Sequence, residues 1–261
     1  MIQFKWRASL KQLLVLAFLC LALSCQTVNR ENDDAASLHL QIAVGHIQNE
    51  NYPLALKELL IAQDLNPRNP YVQSNLGVVY LLRERNDLAE EHFKKALSLK
   101  SDMTEVKNNL ARIYIDEKKE DKAEKLLGEV MSDLTFVDYP AAYANYGLLE
   151  FNRQHYLQAL DYFKKSLEKN RENCDVLVYM GRCYLEQKEY RSALNYLNKA
   201  TPVCIEQNSD ESHYYGAIAY FRNKQKDLSK QKFEELIKLF PQGKNVEKAQ
   251  QMLNVIKKGN L

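Results

Sequence analysis

Glycines recur along this 261-residue chain at a fixed interval, and that interval limits the fold more than any other feature. Gly147 and Gly181 are 34 residues apart, Gly77 and Gly147 are 70 apart, and Gly181 and Gly216 are 35 apart. The flanking text repeats with them: "NLGVVYLLRERNDLAEEHFKKAL", "NYGLLEFNRQHYLQALDYFKKSL" and "YMGRCYLEQKEYRSALNYLNKA". Self-similarity at this period means an array of small units, each too small to bury its apolar face alone and therefore stacked on its neighbours. Only eight glycines and six prolines interrupt a chain rich in Leu, Ala, Lys, Glu and Tyr. That composition favours helices and argues against turn-dense β folds and glycine-rich cofactor loops.

The pattern resembles the tetratricopeptide repeat, a helix-turn-helix unit with Gly or Ala at position 8, Ala at 20, an aromatic residue at 24, Ala at 27 and Pro at 32. Six units fit, starting near Ala36, Pro70, Thr104, Pro140, Cys174 and Asp210. The fourth follows a two-residue insertion, and the sixth is degenerate, keeping Ala217, Tyr220, Ser229, Phe233 and Pro241. A last helix, about Asn245 to Lys257, closes the array. The expected fold is an all-α tetratricopeptide-repeat superhelix of six hairpins plus a capping helix. Small residues at 8 and 20 let the two helices of a unit approach, and the residue at 24 is expected to fill the space between units.

The start of the chain is different. Lys5, Arg7 and Lys11 precede an uncharged, mostly apolar run, Leu13 to Leu23, followed by Ser24 and Cys25. Eleven residues are too few for a bilayer, which needs about 20; the length and flanks match a cleaved secretory signal. Ala22-Leu23-Ser24-Cys25 resembles a bacterial lipobox, with Leu21 one position further from the cysteine than usual. The resemblance implies cleavage before Cys25 and attachment of a diacylglycerol to its sulfur, a stable anchor at about 0.8 kcal/mol per buried CH₂. Gln26, where an Asp would signal retention in the inner membrane, implies the periplasmic face of the outer membrane. The expected organisation is a signal peptide at 1–24, a lipidated cysteine and tether at 25–35, repeats at 36–242, and a capping helix and tail at 243–261. A tether of about a dozen residues, at most about 3.6 Å each, keeps the first repeat within roughly 40 Å of the membrane.

Removing residues 1–24 leaves 33 basic against 34 acidic residues, a formal charge of −1. Such a balance gives no electrostatic basis for nucleic-acid binding. The five histidines, His39, His46, His92, His155 and His213, lack metal-ligand spacing, and no nucleophile, phosphate loop or carboxylate pair stands out. The expectation is a protein without catalytic residues, metal, cofactor or small-molecule substrate. Three cysteines follow the lipobox. Either Cys174 and Cys204 form a disulfide closing the fifth repeat and leave Cys183 free, or all three are small core residues; the spacing allows both.

In this repeat family, positions 2, 5, 9, 12 and 13 of the first helix line a groove. In the first two units they are largely apolar, and in the third and fifth they turn polar, with Arg112, Asp116, Arg182 and Glu186. Leu40, Val44, Ile47, Tyr71, Val78 and Leu81 therefore form the expected partner site, unless the chain's own N-terminal segment covers it. A lipobox followed by six repeats resembles the type IV pilus secretin pilotins, the PilF/PilW/Tgl group. The stretch "SDLTFVDYPAAYANYGLLEFNRQHYLQALDYFKKSLEKN" looks like that group's fourth repeat with its long preceding loop. The resemblance implies a non-catalytic lipoprotein that binds secretin subunits through its early repeats and helps them localise and multimerise in the outer membrane. The alternative is a general periplasmic adaptor for cell-wall or outer-membrane assembly machinery, with the same fold, anchor and address.

Overall fold

The structure, a computed structural model, describes residues 30–169 and 172–258. Cys25 and the signal segment lie outside the described residues. All regular structure among the described residues is helical. The chain divides into two compact units, Met1–Val106 and Lys107–Leu261.

The first unit holds α1 (30–48), α2 (Tyr52–Leu65), α3 (Pro70–Leu82) and α4 (Asn86–Leu99). Helix starts follow local chemistry. The Asn51 side chain accepts from Leu54 N–H, and Asn69 accepts from Tyr71 and Val72 N–H, each just ahead of a proline in the first turn. These are orphan amides that a helix start must satisfy, and proline has none to lose. Ala36, Ala43, Ala55, Leu59, Ala62, Val72, Leu76 and Val79 form one buried cluster. Buried Gln73 sits beside it with a full set of partners. Its Nε2 donates to Gln63 Oε1 (3.3 Å) and Pro67 O (3.4 Å), and its Oε1 lies 2.8 Å from His92 Nδ1.

Here α1 departs from expectation. Residues 30–35, expected as part of an extended tether, are already helical. Glu31, Asp33 and Asp34 place negative charge at the helix N-terminus, where the macrodipole favours it. Asn66 Nδ2 donates to Asp33 Oδ1 at 2.6 Å, fixing the first turn to the end of α2. In a helix, residues 30–37 rise about 1.5 Å each instead of about 3.6 Å, which cuts their reach from roughly 29 Å to roughly 12 Å.

The second unit contains α6 (Glu120–Ser132), α7 (Tyr139–Asn152), α8 (Tyr156–Leu167), α9 (Cys174–Glu186), α10 (Tyr190–Glu206), α11 (Glu211–Arg222), α12 (Lys226–Leu239) and α13 (Val246–Lys258), with α5 (Thr104–Asp116) at its start. Arg153, at the end of α7, donates to Glu120 (3.2 Å), Glu124 (2.7 Å) and Glu150 (3.1 Å), tying α6 to α7. These carboxylates raise the arginine's pKa further, Glu124 most. Phe136 turns inward from the long loop onto Val130, Ala142 and Tyr139, while Leu134 and Val137 on either side point to solvent. At the far end, α13 lays Ala249 and Leu253 over Phe233 and Leu236 of α12. Buried Asp210 receives both the backbone N–H and the side-chain amide of Asn245, each at 2.7 Å. The expected capping helix is present.

Cys174 and Cys204 are joined as a disulfide, their Cα atoms 5.0 Å apart, and Cys183 is buried and free, its thiol pushed up to about 12 by burial. Cys204 lies inside α10, which continues through Pro202 to Glu206. Thr201 Oγ donates to Leu197 O at 3.0 Å in the turn where proline supplies no N–H. The bridge fastens this extended end to the first residue of α9.

The glycines explain the closeness of each hairpin. A Cβ on Gly77 would lie 2.5 Å from the Phe93 ring, one on Gly147 would strike Phe163, and one on Gly181 would lie 2.5 Å from Leu197 Cγ. The residue at position 24 thus sits over the glycine of its own hairpin, rather than chiefly between units as expected. Gly216 is different. A Cβ there meets only Lys232 Cε, at 3.9 Å, and Ala217 takes the buried small-residue position, which accounts for the 35-residue interval. Gly181→Ala should therefore destabilise the chain by about 1–3 kcal/mol through overpacking, while Gly216→Ala should stabilise it by about 0.5–1 kcal/mol through helix propensity. Urea unfolding of the two variants measures both signs.

His213, in α11, is fully buried, and neither ring nitrogen has a hydrogen-bond partner. It packs edge-on against Phe240, with Glu235 3.8 Å from Nε2 and Lys232 nearby. Burial, then Lys232, lowers its pKa below the ordinary histidine value of about 6.5. The folded state thus binds its proton less readily than the unfolded chain. The resulting stability is fully present above that ordinary value and is lost as pH falls through it. Half-buried His92 in α4 is lowered in the same sense, again chiefly by burial. Scanning calorimetry from neutral to mildly acidic pH should show the unfolding midpoint falling by several degrees, and His213→Leu should flatten that dependence.

Candidate partner-binding surfaces

The six residues read as a partner site fall on two first helices of the first unit: Leu40, Val44 and Ile47 on α1, and Tyr71, Val78 and Leu81 on α3. They are not equivalent. Leu40 and Ile47 are half-buried and pack against the alanine-leucine cluster, so part of their surface serves the fold. Val44, Val78 and Leu81 are half-buried, while Tyr71 is 48% exposed and Leu82, next in the chain, 47%. Tyr71 is held in place from one side. Lys100 Nζ donates to its hydroxyl at 2.8 Å and lies 5.0 Å from its ring centre. The accessible apolar surface of this unit is spread over three helices: Leu38 and Ile42 on α1, Leu54 and Leu60 on α2, and Tyr71 and Leu82 on α3 are all exposed.

The second unit carries a cluster that reading single groove positions missed. Arg182 of α9, taken from sequence as a polar groove residue, is packed among aromatic rings from three first helices. Its guanidinium carbon lies 4.7 Å from the Phe151 ring centre (α7), 4.4 Å from Tyr179 (α9) and 4.5 Å from Tyr215 (α11). Phe151 also meets Tyr179 edge-to-face, with centres 5.1 Å apart. All four residues are half-buried. The signal was available: Tyr179 stands three residues before Arg182 on the same helix, and Phe151 and Tyr215 lie close to one repeat before and after it, on α7 and α11. It becomes visible only when three repeats are read together.

Elsewhere the chemistry is sparse. A cavity of about 530 Å³ lies beside the turns after α10 and α12, lined in part by Asp175, Asp210, Glu211, Phe240 and Lys244. Burial and then Asp175 raise the Glu211 carboxyl above its ordinary value. Among the described residues no group of three or more His, Cys, Asp or Glu side chains could hold a metal, and no helix is long and apolar enough to cross a membrane.

Tetratricopeptide-repeat family models match residues 40–105, 80–144, 153–219 and 211–243. The type IV pilus assembly protein PilF of Pseudomonas aeruginosa is 27% identical over 168 residues, 64% of this chain and 67% of that protein. Human protein O-mannosyl-transferase TMTC3 is 30% identical over 168 residues, but the chain spans only 18% of that protein's length. Among solved structures, a chain of Pseudomonas aeruginosa PilF superposes with a TM-score of 0.64 at 24% identity, covering 85% of this chain and 99% of that one. PilW, described as a widely conserved type IV pilus biogenesis factor, superposes with a TM-score of 0.69 at 19% identity, covering 82% and 97%. Helix hairpins, glycine contacts and repeat matches agree: the chain belongs to the tetratricopeptide-repeat family.

Proposed function

We propose that this chain is a non-catalytic outer-membrane lipoprotein of type IV pilus biogenesis, which binds secretin subunits through its early repeats and promotes their localisation and multimerisation. The observation that carries this reading is the sequence likeness to PilF, which runs through two thirds of a protein named for pilus assembly rather than through one repeat. The lipobox ending at Cys25 and the apolar side chains of α1 and α3 support it. In this reading lipid on Cys25 fixes one end of the chain at the membrane. Tyr71, Val78 and Leu81, with Leu40, Val44 and Ile47, hold an apolar segment of an unassembled subunit. Tethering both at one surface raises the subunit's effective concentration there without any new contact.

The test is a strain lacking the gene, complemented with variants and scored for secretin multimers and for the compartment of the protein. Cys25→Ala should leave the outer-membrane fraction. Leu81→Glu should stay in that fraction, fold normally by circular dichroism, and lose about tenfold in secretin capture, the cost of roughly 1.4 kcal/mol at a buried contact. Intact multimers in the deletion strain, accompanied by altered cell-wall cross-linking, would replace the pilus reading with that of a general envelope adaptor.

A further inference from the structure

Leu38 and Ile42 stand one turn apart on the outer face of α1, away from Ala36 and Ala43 that meet the core, and they are 57% and 40% exposed. They occupy positions 3 and 7 of their hairpin. In later hairpins these positions are buried: Val72 and Leu76 in the second, Val176 and Met180 in the fifth, Ser212 and Gly216 in the sixth. The second helix of the hairpin before supplies the cover. Val72 and Leu76 share one cluster with Ala55, Leu59 and Ala62 of α2, and Ala142, position 3 of the fourth hairpin, packs with Val130 of α6. In the same way α8 lies against α9, and α10 against α11. On α1 the apolar residues of such a stacking face are kept, but the face is open among the described residues. Its two ends show what fits there. Gly45, one turn past Ile42, has open space where a Cβ would stand, and Ala35 lies one turn before Leu38, so a second helix can come close. Exposed Glu31 and Asp34 continue the face toward the helix start, and no Lys or Arg follows Arg30 along α1.

We propose that this face is a docking site for an amphipathic helix of a partner protein, which seats on Leu38 and Ile42 as the second helix of a preceding repeat would. The incoming helix offers aliphatic residues one turn apart, and Lys or Arg one turn further on to meet Glu31 and Asp34. The chain's own start does not fill this role. In the lipoprotein reading, on which the proposal rests at this point, only Cys25 to Asn29 stand before α1, whereas the shortest second helix of a hairpin, α8, has 12 residues. A second copy is disfavoured by charge. A two-fold contact sets one patch against itself, which leaves Glu31 and Asp34 of each copy facing a helix whose only base is Arg30. The same acids disfavour an anionic lipid surface. The site shares no residue with the six side chains proposed to hold a secretin segment.

The test uses the whole chain as purified from membranes, placed in phosphatidylcholine nanodiscs, and short labelled helical peptides. One peptide has Leu along one face and Lys beside it, a second has Glu for each Lys, and a third is the first in scrambled order. Binding is read by fluorescence anisotropy with the signal of empty discs subtracted. The Lys peptide should bind about tenfold more tightly than the other two. Leu38→Glu and Ile42→Glu should each weaken it about tenfold while keeping the wild-type unfolding midpoint, and Leu81→Glu should leave it intact. Glu31→Lys combined with Asp34→Lys should turn the preference toward the Glu peptide. The intact mass of the purified chain reports lipid on Cys25, so an unlipidated Cys25 with these affinities preserved would sink the lipoprotein reading and leave the site standing. No binding of the Lys peptide, equal binding of the scrambled one, or a preference unmoved by the double charge reversal would each overturn the proposal. So would self-association of the chain, or binding of a Cys25→Ala chain to empty discs, that Ile42→Glu abolishes.

Discussion

One contact recurs through the array, the seating of the residue at position 24 over the small residue at position 8 of the same hairpin. At Gly77, Gly147 and Gly181 even one methyl group would collide with Phe93, Phe163 or Leu197. The contact sets how near the two helices lie, and so which remaining side chains reach neighbouring units. Ala89, Ala159 and Ala193, at position 20, are fully buried for the same reason. Dispersion between surfaces this close is weak per atom pair and large in sum. The first, third and sixth hairpins carry Ala43, Ala111 and Ala217 at position 8 instead, all fully buried, and the sixth is the hairpin over which α13 is laid. Such a cover is a consistent solution at the end of an array, where no further repeat supplies the missing face.

A second regularity repeats with it and comes from the backbone. Glu50, Glu84, Lys118, Gln154, Lys188 and Lys224 all have positive φ, between 56° and 64°, at the turn after each first helix. In each case the following N–H bonds back to a carbonyl near the helix end, as Arg85 N does to Tyr80 O and Glu189 N to Tyr184 O, both at 2.9 Å. This is the left-handed cap that usually recruits glycine. Here it holds charged or amide side chains, at a cost of about 1–2 kcal/mol for each. The turn is imposed by the packing on both sides of it, so local preference is overridden in six successive places.

This contrast shows what the sequence reveals and what it hides. The glycine interval, the alanines and the capping helix were legible because each is a size restriction, and size restrictions leave the same letter at the same place. The left-handed turns left no such letter, because any long polar side chain fits at an exposed turn. The start of α1 was hidden because Arg30 to Asp34 is polar without an apolar period, and its helix is secured from afar by Asn66. The length of α10 is hidden because Pro202 has no N–H to offer a helix, whereas α10 carries it through to Glu206. The early-repeat surface was half legible. Position numbers identified the right helices, but not that Leu40 and Ile47 spend part of their area on the core.

Arg182 carries this reasoning furthest. Taken singly, it is a charged residue at a groove position, and charge at a groove position reads as solvated surface. Its meaning comes from Phe151, 31 residues before it, and Tyr215, 33 residues after it. Both separations are close to one repeat, so a stacked array brings all three side chains to one place. In a repeat protein the chemically informative neighbours of a residue are thus found one period away. A cation that looks exposed in the linear text is half-buried when the periods before and after it are aromatic. One period either side of Val78, at Val44 and Arg112, there are no rings, and the ring exposed on α3, Tyr71, meets the ammonium of Lys100 instead. The two units thus carry different side chains on one repeated backbone plan, with aliphatic residues and one lysine–tyrosine pair on α1 and α3 and an arginine among three rings on α7, α9 and α11.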